Sequence, residues 1–277
     1  MTPVPLPIAT PRTALVTGAS QGGLAVAERL VQDGVRVALN GRQPQRLTEA
    51  ANRLRRQGGT VLELPCDAGE ATAMAAAVDT VTSTWGGLDL VVDNAGVGGP
   101  SGPTWEIPAQ EWWKALEDNL RTTLVGACAA IPAMLAGTGG RIIHISSEAG
   151  HSTWPYVSAY STAKAGAIKL TENLARELRN LPVTVFAYHP GIMETGLTQA
   201  ALTHRAPANP WSRRYAAWFA RQIEKGNSIP ITAAVDALVT LASGPADHLH
   251  GRFLTTVDIT TLATTMSEDC SSRPPGS

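Results

Sequence analysis

The feature that most restricts what this chain can fold into is a regular alternation of short, continuous apolar runs with longer amphipathic or alanine-rich segments. The runs "TALVT" (13–17), "VRVAL" (35–39), "TVLEL" (60–64), "LDLVV" (88–92), "GRIIHIS" (140–146), "VTVFAY" (183–188) and "RFLTT" (252–256) read as strands. Segments 22–33, 44–57, 70–85, 109–136, 157–180 and 231–243 read as the helices between them. Strands with no polar alternation belong in a sheet covered on both faces. Strict β–α alternation makes those strands parallel, joined by right-handed crossovers. The expected architecture is α/β, a doubly wound parallel sheet of seven strands with helices on both faces. At 277 residues the chain fits one such domain with a sizeable core.

One stretch, about 193–230, breaks the rhythm. It contains Pro207, Pro210 and Pro230 and an aromatic cluster of Trp211, Tyr215, Trp218 and Phe219. Its amphipathic "WSRRYAAWFARQI" reads as a helical lid, or equally as a surface helix pinned by its aromatic side chains. Residues 1–11 and 266–277 read as disordered tails around a single domain of 12–265.

With 44% apolar residues, 16% charged residues and a net charge of −1, the chain has the make-up of a globular protein. That charge gives no broad basic face for nucleic acid or an anionic membrane. Cys66, Cys128 and Cys270 show no metal-ligand spacing and suit a reducing compartment better than a disulfide framework. The opening "MTPVPLPIATPR" lacks the apolar core of a signal peptide, and no uninterrupted apolar run reaches roughly eighteen residues. The expectation is a cytoplasmic protein with no membrane, nucleic-acid or metal partner.

The first strand runs into "TGASQGG" (17–23) and then a helix. A glycine turn at a helix N-terminus offers backbone N–H groups and a positive dipole end to a pyrophosphate, the Rossmann-like arrangement. Gly18, Ser20, Gly22 and Gly23 are therefore candidate dinucleotide contacts. The second strand ends in "NGR", which puts Arg42 where such folds select the adenosine ribose. An arginine there pairs with a 2′-phosphate and favours NADP(H) over NAD(H). Gly41 leaves space for that phosphate, and the competing reading of Arg42 is a solvated loop side chain. Asp67, after the third strand, either accepts from the adenine amino group or caps the helix starting near residue 69.

The segment "RIIHISSEAGHSTWPYVSAYSTAKAGAIKL" carries the chemistry. Tyr160 and Lys164, at i and i+4, share one helical face within electrostatic reach. An adjacent ammonium favours tyrosinate and is expected to lower the phenol pKa from near 10, making Tyr160 a proton donor or acceptor. Ser147, at the strand end, is placed to return toward the same substrate oxygen.

At these residues the chain resembles the short-chain dehydrogenase/reductase family over roughly 12–257. The resemblance rests on "TGASQGG", "DNAG" (93–96), Asn119 in "EDNL", Ser147, "YSTAK" (160–164) and "HPGIMET" (189–195). It implies that Tyr160 is the general acid in carbonyl reduction and the base in alcohol oxidation. Lys164 would hold the nicotinamide ribose and Ser147 would polarise the carbonyl. Asn119 would anchor a water in a proton relay to Lys164, though an asparagine within a helix can equally bond a neighbouring carbonyl. Asn94 and Gly96 would lie beside the adenosine ribose, and Ile192 and Thr195 would grip the carboxamide, with a plain helix cap as the other reading of Thr195. His189 and His151 stand near the expected pocket, His151 being the better placed to meet substrate or else an exposed loop residue.

Three departures stand out. "DNAG" has Asp93 where the family usually has asparagine. In the family turn, TGxxxGxG, the last glycine corresponds to Leu24, which would push the helix outward or point into cofactor space. Gly23 is then expected to let the turn rearrange. "GRFLTTVDITTLATT" lacks the strand and paired glycine that often end bacterial members, so C-terminal packing is expected to differ.

The resulting expectation is an NADPH-dependent ketoreductase or alcohol dehydrogenase for a fairly apolar small molecule, with secondary metabolism as its expected setting. Trp154, Tyr156 and the aromatic lid would line its pocket. The alternative, kept open by Leu24, is a non-redox lyase, isomerase or cyclase using Tyr160 and Ser147 for proton transfer. An idle nucleotide sensor is disfavoured by the complete Ser–Tyr–Lys–Asn set. Helices 109–136 and 157–180 would pair between subunits, as in similar proteins, giving a homodimer or homotetramer.

Overall fold

The computed structural model describes residues 10–194, 198 and 210–262. The expected tails, apart from residues 10 and 11, lie outside that range, as do Thr195, Cys270 and most of 195–209. The strands are β1 (Thr13–Thr17), β2 (Arg36–Asn40), β3 (Val61–Leu64), β4 (Leu90–Asp93), β5 (Gly140–Ile145), β6 (Val183–His189) and β7 (Phe253–Thr255). They form one sheet in the order β3-β2-β1-β4-β5-β6-β7. Every neighbouring pair is parallel.

The helices are α1 (Gln21–Gln32), α2 (Pro44–Arg56), α3 (Ala71–Trp85), α4 (Ala109–Ala136), α5 (Glu148–His151), α6 (Ser158–Glu177), α7 (Pro210–Glu224) and α8 (Ile231–Ser243). The order reverses at β1, which has β2 on one side and β4 on the other. The cleft outside the carboxyl ends of these strands is where a doubly wound sheet binds ligands.

The strands carry apolar residues on both faces because each face has its own core. Ala14, Val16, Leu30, Leu39, Phe186 and Leu241 belong to a cluster joining the sheet to α1, α2 and α8. Leu15, Met74, Val91, Ala130, Ile142 and Val185 belong to a second, under α3 and α4. Among the described residues, α4 is the one helix long and apolar enough to cross a membrane; here it packs beside α3 and α6. The fully buried Arg141 on β5 forms a two-pronged pair with Asp247, at 2.8 and 2.7 Å, and donates to the Ala242 carbonyl at 3.1 Å. This pair ties the sheet centre to the segment beyond α8. In the C-terminal segment, β7 runs directly into a helical turn from residue 256.

Candidate active site

The turn after β1 is shaped by close contacts. Gly18 has φ +76°, a left-handed conformation that favours glycine. The Asn94 side-chain amide donates to the carbonyls of Thr17 (3.1 Å) and Gly18 (3.0 Å), clamping the turn to the end of β4. Helix α1 starts at once, with Ser20 at its N-cap and the Leu24 N–H donating to the Ser20 carbonyl at 2.7 Å. A Cβ on Gly23 would lie 2.2 Å from the Gly18 carbonyl oxygen and 2.7 Å from Asn94 Nδ2. A Cβ on Gly22 would meet only Asn94 Oδ1, at an ordinary 3.5 Å.

The close-contact role therefore falls to Gly23, and the expectation for Leu24 is corrected. Leu24 neither displaces α1 nor enters the cleft; it packs on the core beneath α1. The turn is one residue shorter than TGxxxGxG, so its packing glycine comes one position earlier.

The cleft measures about 830 Å³ and runs from this turn to α7. Ser20, Gln21 and Gly22 line one end, Asn94, Gly96 and Asn119 the middle, and Ser147, Tyr160, Lys164 and Ile192 the chemical end. Trp154, Tyr215 and Phe219 form an aromatic wall, with ring centroids 4.7 to 6.4 Å apart. The backbone-exposed turn at a helix N-terminus and the two close-contact glycines, Gly18 and Gly23, fit a dinucleotide pyrophosphate.

Ser147, two residues beyond β5, caps α5, its hydroxyl accepting from the Ala149 N–H at 3.2 Å. Its side chain lies near enough to the Tyr160 phenol to lower that group's pKa in part. The Lys164 ammonium donates to the Ile145 carbonyl at 2.7 Å and lies 5.7 Å from the Tyr160 ring centroid. Burial lowers the Lys164 pKa to about 8.

The expectation of a lowered Tyr160 pKa is not met: burial raises it, and the Ser147 side chain only partly opposes this. The ammonium is engaged with a main-chain carbonyl rather than with the phenol. Tyr215 faces Tyr160, and its own pKa is pushed up by burial and by that neighbouring phenol.

Asn119 is nearly fully buried and its amide is already engaged. Oδ1 accepts from the Val97 N–H at 3.1 Å, and Nδ2 donates to the carbonyls of Val97 (2.9 Å) and Ala115 (2.8 Å). Its side chain pins the loop after β4 to α4, with a neighbouring carbonyl among its partners, and Asn119 also lines the cleft beside Lys164. Gly96 is required beneath it, since a Cβ there would sit 2.6 Å from Asn119 Oδ1.

Beyond the carboxyl ends of β2 and β3, Arg42 and Asp67 form an exposed pair 3.9 Å apart. Asp67 does not cap α3. Its carboxylate accepts from the Gly69 N–H at 2.9 Å, and the cap is Glu70, which accepts from Thr72 and Ala73. Arg46, in the first turn of α2, lines the cleft with Ser20, at a position that no sequence motif marks. A cation is disfavoured at a helix N-terminus, and that was the available signal for an anion nearby. His189 lines the cleft, its pKa lowered by burial, whereas His151 is exposed and stacks on Phe253 at 4.9 Å. Tyr156 and Trp211 stack at 4.4 Å in a separate pocket beyond Trp154.

Comparison with known proteins agrees with this geometry. The short chain dehydrogenase family model matches residues 12–206. A dehydrogenase/reductase SDR family member 4 from Bos taurus is 33% identical over 189 residues, 68% of each chain. A Streptomyces violaceoruber protein described as a ketoacyl reductase of the granaticin polyketide synthase is 36% identical over 206 residues, 72% of this chain and 75% of its own. The crystal structure of an actinorhodin polyketide ketoreductase variant with NADPH superposes with a TM-score of 0.80. It is 27% identical and covers 88% of this chain and 95% of its own.

Proposed function

The chain belongs to the short-chain dehydrogenase/reductase family of NAD(P)-dependent oxidoreductases, and from that premise we propose that it is an NADPH-dependent ketoreductase, or the reverse alcohol dehydrogenase, for a fairly apolar small molecule. The observation that carries the reading is the convergence of Ser147, Tyr160 and Lys164 in the lining of a cleft that also takes in the glycine-lined start of α1. The nicotinamide supplies the hydride when bound. Tyr160, kept protonated by burial, donates a proton to the oxygen of the substrate carbonyl, and Ser147 orients that oxygen. Lys164 contributes a positive field beneath the ring. Trp154, Tyr215 and Phe219 exclude water and favour an apolar, ring-bearing substrate.

Arg42 and Arg46 support a preference for the 2′-phosphorylated cofactor, as does the lack of a carboxylate directly after Asn40 at the end of β2. The names of the two polyketide reductases support carbonyl reduction. The non-redox alternative rested on Leu24, and with Leu24 half-buried against the core nothing specific favours it. Titration of the purified protein with NADPH and NADH tests the cofactor assignment, with tighter NADPH binding expected. Turnover of aromatic ketones to products heavier by two hydrogens tests the reaction; a product isomeric with its substrate would overturn it.

A further inference from the structure

Behind Lys164, away from the cleft, lie two buried titratable groups that the reaction does not use: Asp93 at the end of β4 and His144 opposite it on β5. The register pairs their Cα atoms, so both side chains project from the same face of the parallel sheet. Gly126 on α4 makes the room, since a Cβ there would lie 2.2 Å from Asp93 Oδ1. From α6, Lys164 is the charged group within electrostatic reach of both.

The hydrogen bonds fix where the protons are. The Thr171 hydroxyl donates its one hydrogen to the Ala167 carbonyl at 2.8 Å. It must then accept at 2.9 Å from His144 Nδ1, which therefore carries a hydrogen. In the neutral ring Nε2 is then bare, and it faces Asp93 Oδ2 at 3.5 Å. Neither Asp93 oxygen nor Nε2 has a hydrogen-bond partner elsewhere among the described residues. Two acceptors facing each other in a buried site are tolerated only with a proton between them, and an ionised carboxylate there would be an unpaired buried charge.

We propose that Asp93 and His144 hold one shared proton on the carboxyl side, and that this neutral pair positions Lys164 by denying it a buried carboxylate. The proposal rests on the assignment of Tyr160 and Lys164 to the reacting centre. With Asp93 neutral, the ammonium stays on the Ile145 carbonyl, beneath the Tyr160 ring. An ionised Asp93 would instead draw the ammonium into an ion pair behind the site. Burial acts in the same sense on both groups, raising the Asp93 pKa well above the carboxylate range and lowering that of His144 to about 3.

Two measurements test this without any substrate, so they stand apart from the ketoreductase assignment. Nitrogen-15 NMR of the histidine side chains is expected to show His144 with Nδ1 protonated and Nε2 bare, unchanged from pH 5 to 9. A titrating imidazole in that range, or a protonated Nε2, overturns the proposal. The second measurement is the ionisation of Tyr160, read as tyrosinate absorbance against the same protein carrying Tyr160→Phe. His144→Gln sets an amide N–H donor where the bare Nε2 stood, which favours the ionised form of Asp93 facing Lys164; the Tyr160 transition should move up by about one pH unit. Adding Asp93→Asn to His144→Gln should restore it. A merely structural pair would give no rescue, and that result would sink the positioning role.

Discussion

Lys164 donates its hydrogen bond to the carbonyl of Ile145, while Tyr160, one helical turn earlier on α6, has Ser147 as the polar neighbour that tempers its pKa. The two side chains share a face without sharing a proton. The ammonium lies 5.7 Å from the Tyr160 ring centroid, and the proposed function gives the proton exchange with substrate to the phenol. Tyr160→Phe is expected to lower turnover by about 10²- to 10⁴-fold, the usual contribution of a positioned acid, with cofactor affinity nearly unchanged. A fully active variant in steady-state assays would remove Tyr160 from its role.

The same geometry sets the pH dependence. Burial raises the Tyr160 pKa, so the phenol form needed for reduction persists through neutral pH. Reduction rates should stay flat from about pH 6 to 8, whereas alcohol oxidation, which needs the phenolate, should rise with pH across that interval. Rate profiles in both directions check this; a reduction rate falling tenfold by pH 8 would contradict it.

Much of this site was legible in the sequence because its spacing is local. Tyr160 and Lys164 are four residues apart on one helix, and Ser147 follows closely on a strand that "GRIIHIS" marks plainly. Helices α4 and α8 match their expected limits because Pro108 and Pro230 precede them and Gly137 and Gly244 follow. Helix α5, four residues long, is too short to have a period. His144 was silent for another reason: its partner Asp93 is set by sheet register, and strand order cannot be read from an apolar run. Leu24 misled because a pattern match fixes spacing, whereas the Gly23 contacts with Gly18 and Asn94 depend on where α1 begins.

Arg42 and Arg46 offer the cations expected for a 2′-phosphate. Charge-assisted bonds to phosphate contribute roughly 1.5–3 kcal/mol, so Arg42→Ala or Arg46→Ala should weaken NADPH binding by about tenfold or more. NADH binding should change little. Fluorescence titration with each nucleotide decides it, and equal losses for both would place these arginines elsewhere than at the phosphate.

The Asp93 carboxyl has a thermodynamic signature as well. Its folded pKa is raised, so between the unfolded value near 3.9 and that raised value the native state holds a proton that the unfolded chain has released. Stability from this group is full below the unfolded pKa and is lost as pH rises. Asn cannot ionise, so Asp93→Asn should gain on the native protein by about 1.4 kcal/mol per pH unit above pH 4. Urea unfolding of the two proteins from pH 4 to 7 reads the slope directly. A flat difference would show that Asp93 is ionised in the fold.

The short glycine turn gives the sharpest steric contrast, because neighbouring positions are predicted to behave oppositely. At Gly23 an added methyl meets the Gly18 carbonyl at 2.2 Å, and that backbone is held by Asn94, so neither side can yield cheaply. Gly23→Ala should therefore cost roughly 1–3 kcal/mol, typical of overpacking, and displace the N-terminus of α1 from the cleft. Nucleotide affinity should fall at least tenfold. At Leu24 the side chain faces the core, so Leu24→Ala should lower stability by about 2 kcal/mol through lost packing. Its nucleotide affinity should stay within about threefold of the native protein. Thermal unfolding and nucleotide titration of the two variants separate these effects. Weakened binding in Leu24→Ala with Gly23→Ala unaffected would return the contact role to position 24, and with it the pressure on the cofactor.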